Sequence, residues 1–294
     1  MLVSARYVFT GIAFAILWSS ASSAGKIGLE SAGGLVLFTA RFLLAGIILL
    51  AWSLWVRRDR QPRGIEWKQL VIFGAFNTTL YLGIFIVALE EVTAGVTSIA
   101  LAINPLLISA LTARWLGTKV TAIQWISIVI GSVGVVVVSL PLMQNNYASP
   151  TGMILMAICM VAYSIGSVYY AGVGFTLSRS AVNGWQVFIG GLLLLPFAVL
   201  FPQKENHYDT RFWASVLWLV IPVSIGAVQL WLRLLMEDAV RASLWLFLCP
   251  IFGLTFAAVL LNEPITVYTV AGTLLVLLAL YLGQRPSKKT SAEG

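Results

Sequence analysis

Charge is scarce in this sequence, and acid is scarcer than base. Only 10% of the 294 residues are charged, 11 acidic and 18 basic, while 60% are hydrophobic. A soluble domain carries about 25% charged residues, so this chain lacks the polar surface to cover a water-facing globule. There is one histidine, His207, and there are two cysteines, Cys159 and Cys249, both within apolar runs. That inventory excludes a disulfide framework, and its spacing fits no zinc motif. No Walker A loop and no glycine-rich strand-to-helix turn is written anywhere, so ATP-driven pumping by this chain alone is excluded. The sequence assigns no cofactor and no metal.

What is present is length of apolar run. A membrane-spanning helix needs roughly 20 mostly apolar residues, and ten segments qualify: about 5–24, 34–56, 68–89, 94–115, 121–140, 151–172, 181–201, 212–234, 240–261 and 266–284. The expected fold is all-α, a polytopic membrane protein of ten transmembrane helices. The first 24 residues also have the outline of a signal peptide, with Arg6, an apolar run and then small residues. An internal repeat instead makes this segment the first span, the counterpart of a later one.

The net charge of +7 could suggest a nucleic-acid partner, but the placement of the charges points to a bilayer. With the N-terminus cytoplasmic, 14 basic residues fall in cytoplasmic segments and three (Lys26, Lys204, Arg211) outside; Arg41 lies within a span. This positive-inside bias orients both termini to the cytoplasm of a multi-pass inner-membrane protein. The partners expected are a small-molecule substrate and the lipid bilayer, with no nucleic acid. A monomer is expected, with a dimer as the alternative.

Two 18-residue stretches match. NPLLISALTARWLGTKVT (104–121) and CPIFGLTFAAVLLNEPIT (249–266) share Pro second, Ala tenth, Leu thirteenth and Thr last, 145 residues apart. The same offset pairs Trp18 with Tyr163, Arg41 with Gln186 and Gly46 with Gly191. It divides the chain into two five-helix repeats, 1–145 and 146–294, together one transport domain. Five is odd, so the second repeat is inverted, an arrangement that places a binding site near mid-membrane.

The residues that carry this pattern resemble a known family. VTAGVTSIALAINPLLISALTARWLG (92–117) and MEDAVRASLWLFLCPIFGLTFAAVLLNEPIT (236–266) are similar to the paired half-signatures of the drug/metabolite transporter superfamily, in its EamA-type branch. FTARFLLAG (38–46) is similar to the second-span signature, arginine included. The resemblance covers about 7–284 and implies a ten-helix exporter of metabolites, nearest the aromatic amino acid exporters. The first half departs from the usual Leu-Gly-Glu ending: it reads Leu116-Gly117-Thr118, while the second reads Leu261-Asn262-Glu263. A role for Glu263 therefore has support in one half only.

Candidate site residues come from side-chain chemistry. Pro105 and Pro250 fall mid-span, where a proline frees the carbonyl four residues earlier. Gating kinks and plain packing both remain open for them. Trp18, Tyr81, Tyr163 and Trp245 are candidates for an aromatic substrate wall. The interfacial belt is the competing explanation, and it better suits Trp52, Trp55, Trp67, Trp115, Trp213 and Tyr281. The polar residues within spans are Asn77, Asn104, Gln186, Gln229 and Arg41. The amides can bond both ends of a zwitterion. Arg41 either snorkels to the surface or captures a substrate carboxylate.

No carboxylate is found at mid-depth, so uncoupled facilitation or exchange is expected in place of proton antiport. Arg41, the one cation within the spans, is too little charge for phosphorylated substrates. The expected function is export of amino acids with aromatic or apolar side chains by alternating access. A multidrug or other metabolite exporter, proton-coupled or not, is the alternative. A channel or an intramembrane enzyme is disfavoured, because no nucleophile–base pair or acid cluster is visible at depth.

Overall fold

A computed structural model describes residues 4–89, 91–92, 97, 100–140, 149–201, 205–261 and 266–284. Every described element is a helix: α1 (Ala5–Leu29), α2 (Gly34–Val56), α3 (Ile65–Ala88), α4 (Asn104–Trp115), α5 (Ala122–Ser139), α6 (Pro150–Val173), α7 (Arg179–Leu200), α8 (Thr210–Glu237), α9 (from Ala239, ending as Leu248–Leu261) and α10 (Val267–Gly283). Seven of them, α1–α3 and α5–α8, are long and apolar enough to cross a membrane. Apolar residues are exposed all along the bundle, including Trp52, Trp55, Trp67, Trp115, Trp213 and Tyr281. Lipid is the solvent that tolerates such a surface. The protein is a multi-pass membrane protein. Glu263 lies outside the described residues.

Helix starts reflect the local sequence. Thr121 and Thr266, the last residues of the two matched stretches, cap α5 and α10. Each accepts from the backbone N–H three residues on, and Gln124 and Thr269 bond back to the cap N–H groups. Such capping boxes satisfy two orphan donors each. Ser149, Ser178 and Asp209 cap α6, α7 and α8 in the simpler way.

Three of the long runs are not uniform helices. α2 ends in a π-helical turn, Trp52–Val56. α3 and α8 are π-helical through Ala75–Gly83 and Leu219–Ala227. π-helix is rare and gathers at functional sites.

The prolines depart from the expectation of kinked continuous helices. Residues 102–103 form a turn, and α4 starts afresh with Pro105 in its first turn. In α9 a 3-10 segment, Trp245–Phe247, precedes Leu248, and Pro250 again falls in the first turn of the helical segment that begins there. A first-turn proline loses nothing, because its missing N–H would have had no intrahelical partner. Both prolines therefore mark breaks between helical segments. Carbonyls beside the breaks are taken up by hydroxyls: Ser132 Oγ donates to Ala102 O (3.2 Å) and Ser19 Oγ to Cys249 O (3.0 Å).

Glycines let two helix pairs close up, α2 with α7 and α5 with α10. Gly46 and Gly191 face Phe188 and Phe42 across the first pair. In the second, a Cβ on Gly272 would sit 2.5 Å from Gly134 O and would meet Val138. Backbone cannot yield as a side chain can. Gly272→Val is expected to cost about 1–3 kcal/mol by overpacking, lowering the thermal midpoint by about 5 °C at 2–4 °C per kcal/mol. An unchanged midpoint in detergent would show that α5 and α10 do not pack this way.

Polar clasps join connecting segments at both ends of the bundle. At the end rich in basic residues, Asp59 Oδ2 accepts from Ser53 (2.7 Å) and Ser178 (2.6 Å). Beside it Glu66 takes both Arg60 Nη groups (2.6 and 2.7 Å) and the Thr176 hydroxyl. At the other end Gly33 N–H donates to Asn206 Oδ1 (2.9 Å) and His207 N–H to Ser31 O (2.7 Å).

Burial pushes the Asp59 carboxyl up, but the Ser178 and Ser53 hydroxyls and nearby Arg57 together hold it below its ordinary value. A depressed carboxylate contributes stability above the unfolded pKa, about 3.9, and loses it as pH falls through the folded value. Between pH 5 and pH 3 the wild-type thermal midpoint should therefore fall more steeply than that of Asp59→Asn. Parallel profiles would remove Asp59 from the clasp.

Candidate functional site

The buried face of α2 repeats as Phe38, Arg41, Phe42, Ala45 and Leu49, a helical stripe turned into the bundle. Arg41 lies on that stripe and is 2% exposed, so it does not snorkel. A lipid-facing position such as Ile47 or Ile48 would have been needed for that. Its Nε donates to Ser224 Oγ (2.8 Å) in the π-helical part of α8, and its guanidinium sits 5.2 Å from the ring centres of both Phe38 and Phe42. No carboxylate pairs with Arg41 among the described residues.

An aromatic cluster is drawn from four helices, α8 among them. Tyr163 of α6 packs on Tyr81 of α3 (4.5 Å between ring centres), on Trp231 of α8 (5.8 Å) and on Trp18 of α1 (6.5 Å). Phe14 closes the ring against Trp231 (5.0 Å) and Trp18 (5.9 Å). Among the described residues Trp231 Nε1 is buried without a hydrogen-bond partner, and the buried Tyr163 and Ser167 hydroxyls lie against each other. Buried polar atoms are normally satisfied, so the unpartnered Trp231 N–H on the cluster marks a place where a ligand's acceptor could go.

Three of the four aromatic candidates thus come together. Trp245 does not join them. It packs against Tyr7 (6.1 Å) in the space left by Gly11, near the start of α1. The clustered rings pack on one another. Two cavities, of about 400 and 450 Å³, lie towards the basic end, and neither is lined by the cluster.

The amides serve mainly to join helices. Gln186 Oε1 in α7 accepts from Thr78 Oγ1 (2.7 Å) and Asn77 Nδ2 (3.3 Å) in the π-helical part of α3, and its Nε2 donates to Asn183 (3.1 Å). Asn183 then donates to Ser224 O (2.9 Å), which brings the chain of bonds back to the residue that holds Arg41. Asn104 is held at the α4 break by Ser164 Oγ (3.3 Å) and Met160 Sδ (3.1 Å). Gln229 lies apart, bonding the carbonyl of Arg179 (3.3 Å) at the basic end.

Sequence reasoning missed Trp231, Phe14, Asn183 and Ser224. Trp231 stands near the expected end of its span, where a belt tryptophan is ordinary, and the 145-residue offset pairs it with Ile86. No signal in the sequence set it apart.

Pairs of contacts recur at the repeat offset. Ser19 bonds the carbonyl of Cys249, and Ser164 bonds Asn104, each residue displaced by 145. Arg41 reaches the π-segment of α8, and its counterpart Gln186 reaches the π-segment of α3. A model of the EamA-like transporter family matches the chain twice, over residues 5–140 and again over 150–283.

The chain belongs to the EamA-like transporter family.

Relatives agree in kind. An uncharacterized transporter of Synechocystis (sll0355) is 25% identical over 94% of this chain and 89% of its own. One from Archaeoglobus fulgidus is 26% identical over 90% of this chain and 94% of its own. Protein PecM of Dickeya dadantii is 27% identical, covering 83% of this chain and 80% of its own. A solved crystal structure superposes with a TM-score of 0.80 at 18% identity, over 96% of this chain and 97% of that one, which is a likeness of fold. As an EamA-like protein, this chain is a membrane transporter.

Proposed function

We propose that this protein exports amino acids with aromatic or apolar side chains across the cell inner membrane by alternating access. The observation that carries the reading is Arg41: buried, without a carboxylate partner among the described residues, and bonded to Ser224 on α8, the helix that also brings Trp231 to the aromatic cluster. An ionisable group within a membrane helix is costly and is a functional-site candidate by default. A substrate carboxylate would supply the missing counter-charge, and its side chain would lodge between Trp18, Tyr163 and Trp231. The unpartnered Trp231 N–H is a further donor for it.

The proposed layout is ten spans in two inverted five-helix repeats, 1–145 and 146–294, with both termini cytoplasmic. The double family match, the paired capping boxes and the paired serine contacts support it. Pro105 and Pro250 mark breaks in two equivalent helices, α4 and α9, which are the proposed moving elements. No acidic side chain adjoins the cluster among the described residues, so the proposed mode is facilitation or exchange without a coupled proton.

Counterflow in proteoliposomes tests this. Vesicles loaded with unlabelled phenylalanine should accumulate labelled phenylalanine, with tryptophan and leucine competing and sugar phosphates not. Competition by hydrophobic cations lacking a carboxylate, with none by amino acids, would point to a multidrug exporter instead.

A further inference from the structure

We propose that the cavity at the basic end, between α1, α6, α7 and α8, is a second binding site, for a small organic carboxylate attached to an apolar group. The cavity measures about 400 Å³ and is rimmed by Arg6, Arg179, Arg233 and Glu237, with Tyr170 and Phe175 in its wall. That volume falls in the range of small-ligand pockets, roughly 300–1,000 Å³.

Charge sets the class of ligand. Glu237 is already engaged by Arg233 at 3.2 Å. Arg6 and Arg179 have no ion pair among the described residues. The cavity thus carries two uncompensated positive charges. Arg179 is also the first residue of α7, a 22-residue helix, so the positive end of that helix adds to the field. The positive-inside bias accounts for arginines at this end of the bundle. It does not account for their convergence on one recess with aromatic walls.

The walls narrow the class further. Guanidinium groups match a carboxylate in two-point geometry, and Tyr170 and Phe175 offer apolar faces for the rest of the molecule. The ligand that fits both is an organic acid with a ring or alkyl group. The site lies towards the basic end from the aromatic cluster: Arg6 precedes Phe14 by eight residues of α1, about 12 Å at 1.5 Å per residue. It is therefore distinct from Arg41. The inference rests on this cavity and does not require that amino acids be transported.

The test is fluorine NMR on purified protein in non-ionic detergent, with 4-fluorobenzoate and 4-fluorobenzamide as a charged and neutral pair of the same shape. The benzoate should bind at least tenfold more tightly than the benzamide, and raising salt from 0.05 to 0.5 M should weaken it, as expected for a partly exposed site. The double variant Arg6→Gln/Arg179→Gln should weaken benzoate binding at least tenfold. Arg6→Lys/Arg179→Lys should retain it within about threefold, which separates lost charge from lost fold.

The Arg41→Gln variant should bind benzoate at this cavity as wild type does. Loss of benzoate binding in Arg41→Gln, with none in the double variant, would overturn the second site while leaving the transport site standing. Equal binding of benzoate and benzamide would also overturn it. So would inorganic phosphate or a short-chain phosphatidylglycerol displacing benzoate at lower concentration than benzoate itself binds, which would make the cavity a phosphate or lipid-headgroup site.

Discussion

Arg41→Gln should lower transport of a carboxylate-bearing substrate by about 100-fold while folded protein remains in the membrane. Removing one partner of a buried, hydrogen-bonded charge pair costs about 2–5 kcal/mol, and each 1.4 kcal/mol is tenfold. Glutamine keeps a donor for Ser224, so the contact between α2 and α8 is retained in kind and the bundle should hold. Removing an unpaired buried cation also relieves a desolvation cost, so the thermal midpoint should be unchanged or higher. Phenylalanine methyl ester, which lacks the carboxylate, supplies the control. Its transport should change by less than threefold. Equal losses for acid and ester would reduce Arg41 to a clamp between α2 and α8 through Ser224.

The second large effect is expected from the aromatic cluster. Trp231 is 2% exposed and touches Phe14 and Tyr163, so it sits at the centre of the group. Trp231→Ala should weaken tryptophan or phenylalanine by roughly 5- to 150-fold, from the loss of about 1–3 kcal/mol of apolar contact. Threonine should lose far less, because its side chain never reached the space. The cavity left behind costs stability too, about 3–5 kcal/mol for a buried large-to-alanine change, so the comparison must be made between substrates on one variant. Trp18→Ala, at a half-buried ring, should show the same selectivity with less damage to the fold. Equal losses for large and small substrates in both variants would make the rings scaffold and nothing more.

Much of the architecture was legible in the order of residues. Expected spans such as 34–56, 121–140 and 151–172 lie within a residue or two of α2, α5 and α6, because apolar run length is set by the bilayer and caps are written locally. Thr121 and Thr266 could be seen as a matched pair before their capping role was visible. The convergence of Trp18, Tyr81 and Tyr163 was foreshadowed in part by the offset that equates Trp18 with Tyr163. The π-segments were not legible. A shift to wider hydrogen bonding depends on which neighbours take the displaced backbone and hydroxyl groups, such as Ser224 with Arg41, and those neighbours are more than 100 residues away in sequence. That Trp245 and Gln229 stand apart from the cluster was not legible for a related reason. Composition says that a residue lies in a span, but the direction it faces is set by the break at Trp245–Phe247 and by the true end of α8 at Glu237.

The measurement that bears most directly on the transport site is a structure determined with 4-iodophenylalanine bound, its iodine located by anomalous scattering. The account predicts iodine among Phe14, Trp18, Tyr163 and Trp231, with the ligand carboxylate on Arg41. Iodine placed elsewhere, with Arg41 still facing Ser224 and no anion, would contradict it.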